Sequence, residues 1–454
     1  MTSHIIPIAG AHLSPILSPL AADILTEGAP LLHKWIEEYG SPLHLVLPSE
    51  LTANVEALRH VLDDRGVGHA IYYGSKVNKS SALLQAALGA GAGIDVSSVY
   101  ELRDAVKLGA RGDDIVATGP AKTARFHDEL VRIRALVSVD SPEELADISR
   151  RLPANGAKQP VLLRLQPKGH EKSRFGMAAD TVRACLSRIV GDNRLRFDGI
   201  HFHLSGYRFQ DRSVAFEEAA KLMEEARAIG LSPTMIDIGG GLPAQYVSEA
   251  AWGEHLQRQS ADDYRTGKVP ASLYPYGGPL SAAAWLRRFL NALLSSGQTI
   301  EDYFREHKLT LAMEPGRSLV DQAAISAFRI TRAKDLGGGN GVIFVEGSSF
   351  SACETWFASE FMVDPILLAR NDRAPPGEAF RAYIAGHSCL DEDVLSNRWL
   401  GFPHVPEAGD VLVWANTGGY QMDLLENEFH RHPMPKRLCV TKSAAGELSI
   451  YHDN

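Results

Sequence analysis

Apolar and polar positions in the first two-thirds of the chain repeat one pattern: a short apolar run, a polar or glycine-rich break, then a stretch of helical periodicity. Eight runs read as strands: Ala70 to Ser75, Ile94 to Ser97, Ile115 to Thr118, Leu136 to Val139, Val161 to Leu165, Gly199 to His203, Met235 to Ile238 and Leu309 to Met313. Short apolar runs bounded by turn residues suit strands buried on both faces, and stretches such as Ser80 to Gly89 and Tyr100 to Leu108 read as helices between them. Before one helix, Ser141 is placed to cap, Pro142 to take the first helical position and Glu144 to complete a capping box. Regular β-then-α alternation predicts a parallel sheet, and eight units fit a closed (β/α)8 TIM barrel.

After Arg317 the pattern changes. The runs Ala324 to Thr331, Val342 to Val345, Arg381 to Ile384 and Val411 to Trp414 alternate with turns, and Gly337 to Gly341 reads as a hairpin turn. This predicts a second, all-β domain of sandwich or barrel type, which the strand-like run Pro42 to Leu47 is expected to join. The expected division is an N-terminal arm and strand over 1–47, the α/β barrel over 48–318 and the β domain over 319–454. The stretch His4 to Leu25, mildly apolar and broken by prolines, reads as an arm packed on the body. Ala244 to Leu280 stands out between the seventh and eighth strands, with Tyr246, Trp252, Tyr264, Tyr274 and Tyr276. Loops this long are usually functional or disordered.

Composition narrows the function classes. A chain of 454 residues exceeds one ordinary core, and 45% hydrophobic with 22% charged residues suits a globular enzyme. A net charge of -9 argues against a broad nucleic-acid footprint, although one basic pocket for a phosphate stays possible. No apolar run is long enough to span a bilayer. Cys185, Cys353, Cys389 and Cys439 form no CxxC pair and no disulfide framework, so reduced thiols in the cytoplasm are expected. The first Lys or Arg is Lys34, so the start lacks the basic region of a secretory signal.

The polar and glycine-rich features fall just after the strands, where a barrel opens its mouth. Lys76 follows the first strand. Desolvation there would lower its pKa and favour the free amine that Schiff-base formation needs; the plainer reading is a strand-end lysine in a salt bridge. Gly239, Gly240 and Gly241 allow backbone N–H groups to approach a phosphate, or form a tight turn. Glu314 can face a ring nitrogen and Arg317 can grip a phosphate, or the two support the barrel rim as an ion pair. His201 and His203, two apart on one strand face, suit a metal or a ring-stacking role; no third ligand completes a metal site, so no metal is expected. Cys389 has acidic neighbours that would raise its pKa and favour a protonated donor, unless it is an inert buried thiol. Tyr420, in a Gly-Gly-Tyr turn, says little alone.

Together and in this order, Lys76-Val77-Asn78, Gly93-Ile94-Asp95-Val96-Ser97-Ser98, Ser173-Arg174-Phe175-Gly176, His201-Phe202-His203, the glycine run, Glu314-Pro315-Gly316-Arg317, the Cys389 motif and the Tyr420 motif are specific. They resemble the fold-type III decarboxylases that use pyridoxal 5'-phosphate (PLP): the diaminopimelate, ornithine and arginine decarboxylases built on an alanine-racemase-like barrel. The resemblance runs from about Gly40 to Pro435. It implies that Lys76 carries PLP as a Schiff base and that His203 stacks on its ring. It implies that Gly239, Gly240, Gly241, Arg317 and Tyr420 hold the phosphate, that Glu314 pairs with the ring nitrogen, and that Asp95 and Arg174 support the ring region. Cys389 would reprotonate the product from the partner subunit of a homodimer. A carboxylate at 314 favours decarboxylation over racemisation, where the family places arginine. A racemase, a lyase, a non-catalytic PLP-binding protein and a metal-dependent hydrolase are the rival readings.

Three departures bear on the substrate. Leu204-Ser205-Gly206 replaces the family's usual Gly-Ser after the histidine. Leu390 stands where an acidic residue usually holds a distal ammonium. The stretch Glu346 to Pro365 lacks the Arg-Pro-x-x-Tyr pattern for a distal carboxylate. The expected substrate is therefore an amino-acid derivative other than diaminopimelate, lysine or ornithine, in a pocket that the aromatic segment Ala244 to Leu280 helps to line.

Overall fold

The computed structural model describes residues 12–271, 273–274, 276–349, 360–370, 379–420, 422 and 431–453, with the backbone of Ile5–Ile6. Eight parallel strands close a barrel: β1 (Gly68–Gly74), β2 (Gly93–Val96), β3 (Ile115–Ala117), β4 (Leu136–Val139), β5 (Gln159–Arg164), β6 (Leu195–His201), β7 (Met235–Asp237) and β8 (Thr310–Met313). Closure comes from β8 pairing with β1, Thr310 opposite Gly68 and Met313 opposite Ile71. Strand β6 begins four residues before the expected run. Gly199 looks like a strand boundary but lies inside the strand, where a Cβ would meet Met235 O at 1.8 Å; the glycine permits close approach of two backbones.

Helix starts follow their capping residues. The Ser141 side chain accepts from Glu144 N at 3.1 Å, as expected, but the Glu144 carboxylate takes Asp140 N at 2.7 Å rather than closing a box on Ser141. It is drawn there because its other oxygen holds Lys122 at 2.9 Å and His127 at 3.0 Å.

The barrel interior is layered, because alternate side chains of a strand share a face. Tyr72, Val116, Leu136, Leu162 and Ala312 form one apolar cluster, with Met235 packed against it. Two residues further along the strands come Thr118, Ser138, Arg164, Asp237 and Glu314. Asp95 and His201 stand two beyond Gly93 and Gly199, and all seven polar side chains are buried. Burying that many polar groups costs stability, so the layer marks the functional end of the barrel.

The second domain is a ten-stranded mixed sheet. Ala324–Gly337 and Asn340–Val345 form the expected hairpin around Gly337 to Gly339, all at positive φ. The N-terminal strand Leu43–Val46 lies between Ala324–Gly337 and Lys436–Lys442. Helices Pro19–Leu25 and Ala29–Tyr39 pack on this sheet through Leu20, Ile24, Leu32 and Ile36. Among the described residues no helix is long and apolar enough to cross a membrane.

The long segment before β8 is ordered around helix Glu249–Arg258. Its Tyr246, Trp252, Tyr264 and Tyr276 join Phe361, Met362 and Trp414 in a core of their own. That corrects the expectation that these aromatics line a pocket: packing against the sheet claims them.

Candidate active site

Lys76 sits in the turn Ser75–Val77 directly after β1. The second domain holds that turn: Tyr420 N donates to Val77 O at 2.9 Å and Asn78 Nδ2 to Gly418 O at 3.0 Å. Tyr420 itself is at φ +71°, a strained backbone for a tyrosine and one that clusters at functional sites.

Two adjoining cavities share Lys76, His203, Ser205 and Glu314. The smaller, about 240 Å³, is lined also by Gly240, Gly241, Gly316, Arg317 and Tyr420. The larger, about 540 Å³, runs over Thr118, Lys122, Arg164 and Arg174.

Lys76 Nζ lies 3.2 Å from Asp95 Oδ2, and the other Asp95 oxygen accepts from Thr118 Oγ1 at 2.6 Å. The expected lowering of the Lys76 pKa does not occur. The Asp95 charge raises it, outweighing desolvation, because the carboxylate is fully buried while the lysine side chain keeps 42% of its exposure. Glu314 is buried, with Oε1 3.5 Å from His201 Nε2 and Oε2 3.9 Å from His203 Nδ1. Burial alone would raise its pKa. The neighbouring His201 and His203 rings and the Lys76 charge together outweigh that and hold it below the usual carboxylate range. Asp237 is pushed the other way, by burial first and then by the Glu314 charge.

The fold supplies the third group that sequence spacing did not: the ligating atoms of His201, His203 and Glu314 lie within 4.8 Å of one another. One hydrogen bond opposes a metal there: Gly240 N donates to His203 Nδ1 at 3.1 Å, which occupies that lone pair, while His201 Nδ1 bonds Ser138 Oγ at 2.6 Å and turns Nε2 toward Glu314.

The glycine run is shaped by close contacts. A Cβ at Gly239 would meet His203 Nδ1 at 2.7 Å, at Gly240 it would meet Glu314 O at 2.6 Å, and at Gly241 it would meet Arg212 Nη2 at 1.9 Å. Gly240 and Gly241 line the smaller cavity, while Gly239 lies behind it and donates to Asp237 Oδ1 at 2.8 Å. Arg174 stands apart from this niche, at the larger cavity, with its guanidinium 4.7 Å from the Phe175 ring. Cys389 is exposed in the loop between Phe380–Ala385 and Val394–Phe402 and lines neither cavity. Its acidic neighbour Asp393 turns inward to accept from Ser349 N and Ser388 N. Half of the Glu346 to Pro365 stretch, from 350 to 359, lies outside the described residues.

Arg212 was not legible from sequence: it is one arginine on a helix. It is completely buried beneath the glycine turn, donating to the carbonyls of Leu204 at 2.8 Å, Gly206 at 2.9 Å and Gly240 at 3.0 Å. Burial lowers its pKa to about 10, which leaves it cationic at neutral pH. It fixes both loops of the smaller cavity and places a positive charge behind them. Arg212→Leu strands those carbonyls, and urea unfolding is expected to show a loss of about 3–5 kcal/mol.

These features fit PLP. A buried Glu314 oxygen without a hydrogen-bond partner faces the histidines, a lysine points into the same space, and glycines and an arginine form the far wall. The family model for the pyridoxal-dependent decarboxylases, pyridoxal-binding domain, matches residues 49–264. The chain belongs to the fold-type III PLP-dependent decarboxylases. It is a divergent member. It is 60% identical over 453 residues to uncharacterized protein y4yA of Sinorhizobium fredii, covering 100% of this chain and 99% of that one. It is 24% identical over 425 residues to the diaminopimelate decarboxylase of Zymomonas mobilis, covering 89% and 88%. The fold is similar to that of Helicobacter pylori diaminopimelate decarboxylase complexed with L-lysine, at TM-score 0.71 and 16% identity over 92% of this chain and 95% of that one.

Proposed function

We propose that this protein is a PLP-dependent amino-acid decarboxylase of the cytoplasm, working as a homodimer. The observation that carries the reading is the buried Glu314, 3.5 Å from His201, at the cavity that Lys76 enters. When bound, PLP supplies an electron sink for the pair left at Cα by the departing carboxylate. Lys76 would hold the cofactor through its side-chain amine. Glu314 would pair with the ring nitrogen, and His203 would pack against the ring. Gly240, Gly241, Arg317 and Tyr420 receive the phosphate, with Gly239 setting the turn. Asp95 orients Lys76. Arg174, at the mouth of the larger cavity, faces substrate rather than the ring.

Cys389 is the proton donor to Cα, entering from the partner subunit; its exposed loop, away from the chain's own cavity, suits that role. Cys389→Ala is expected to leave the cofactor spectrum unchanged and to slow turnover by roughly 10²-fold or more. Unchanged turnover would remove Cys389 from the mechanism.

Leu390 offers no charge to a distal ammonium, so the substrate is an amino-acid derivative other than diaminopimelate, lysine or ornithine. The test is an absorption spectrum of purified protein with PLP, followed by CO2 release from a panel of amino acids that includes these three. Release from other members supports the reading. Normal efficiency on diaminopimelate overturns the substrate assignment, and substrate racemisation without CO2 overturns the reaction.

A further inference from the structure

Arg317 is caged by tyrosines from three separate parts of the chain. Its guanidinium carbon lies 4.6 Å from the centre of the Tyr420 ring and 4.6 Å from that of Tyr274, so the ion is held between two rings. Its Nη1 donates to Tyr207 Oη at 3.3 Å. Tyr207 and Tyr274 meet edge to face with centroids 5.2 Å apart. Gly419 leaves the room for this: a Cβ there would meet Arg317 Cγ at 2.9 Å.

Tyr274 belongs to the long segment before β8. It is anchored by Tyr276 beside it, whose ring it meets at 5.2 Å and whose hydroxyl donates to Glu360 O at 2.7 Å in the second domain. Earlier in the segment, Arg265 N donates to Asn397 O at 2.8 Å. Tyr207 is fixed by its own carbonyl, which accepts from Trp285 Nε1 at 2.7 Å. An arginine binds phosphate well only when its planar fork is held in register, because the ordering entropy of a long side chain is otherwise lost on binding.

We propose that Tyr274, assisted by Tyr207, is a positioning residue for the cofactor's phosphate. The long segment sets cofactor affinity by presenting the Tyr274 ring to Arg317. This rests on the PLP reading above and extends it to a segment whose aromatics otherwise serve the second core.

The test is equilibrium titration of the apoprotein with PLP and, separately, with pyridoxal, which lacks the phosphate. Tyr274→Leu, which keeps an apolar side chain without a ring face, is expected to weaken PLP about tenfold and leave pyridoxal unchanged. Tyr274→Phe is expected to stay within about twofold of wild type for both, since the ring face is retained. Unchanged PLP affinity in Tyr274→Leu overturns the proposal. Equal losses for PLP and pyridoxal also overturn it, by reducing Tyr274 to a support of the fold. A wild-type protein that binds neither compound refutes the cofactor reading itself.

Discussion

Lys76→Ala is expected to lose turnover by at least about three orders of magnitude and to lose the covalent attachment of the cofactor. Three lysines stand near the barrel mouth, and geometry separates them. Lys79 is committed to Glu101 at 2.8 Å and to Ser75 O. Lys122 spends its three donors on Gly119 O, Ser138 O and Glu144, with a side chain only 1% exposed. Lys76 alone of the three reaches the smaller cavity. Removing it leaves Asp95 buried beside Thr118. Since burial already pushes that carboxyl upward, it takes a proton instead of staying charged, and the fold survives. Lys76→Arg is the control: it restores a cation over Asp95 but offers no nucleophilic amine, so it should recover stability without recovering attachment. Borohydride reduction of wild-type protein with PLP, followed by peptide mapping, reads the result directly. A label on Lys79 or Lys122, or near-normal turnover in Lys76→Ala, would reassign the site.

Much of the fold was legible because the barrel strands are buried on both faces and read as plain apolar runs. The polar features after them marked the mouth for the same reason: a parallel barrel puts its chemistry at the carboxyl ends of strands. The polar layer follows strand parity. Asp237, two beyond Met235, and Ser138, two beyond Leu136, face inward by parity. Arg212, Tyr207 and Tyr274 had no such signal, since their contacts depend on tertiary placement. Of the two readings of Lys76, the salt bridge is the one the fold realises, because the neighbouring strand brings the Asp95 carboxylate to 3.2 Å and its charge outweighs desolvation. The aromatic segment misled for a similar reason: buried aromatics serve a core and a pocket equally well in composition, and only packing separates them.

Glu314→Gln is expected to lower turnover by about 10²–10³-fold while cofactor attachment persists, because a single preorganised charge at a reacting ring has that magnitude. Glu314 and Asp237 are buried together, and two adjacent carboxylates cannot both remain ionised in such surroundings. The favourable influences fall on Glu314: the Lys76 charge acts on it and the His201 and His203 rings face it. Asp237 has the Gly239 N–H at 2.8 Å but is dominated by burial and by the charge on Glu314, so it carries the proton of the pair. The amide at 314 therefore removes the negative charge and leaves a neutral pair in the buried layer, so the fold should hold. The paired substitution sharpens the test. Asp237→Asn exchanges one neutral group for another and is expected to change turnover by no more than a few-fold. Steady-state rates of the two variants decide between the carboxyls. If Asp237→Asn is the crippled protein and Glu314→Gln the active one, the charge sits on the other partner. If both stay active, a carboxylate at this position does not govern the ring nitrogen, and the preference for decarboxylation over racemisation loses its physical basis.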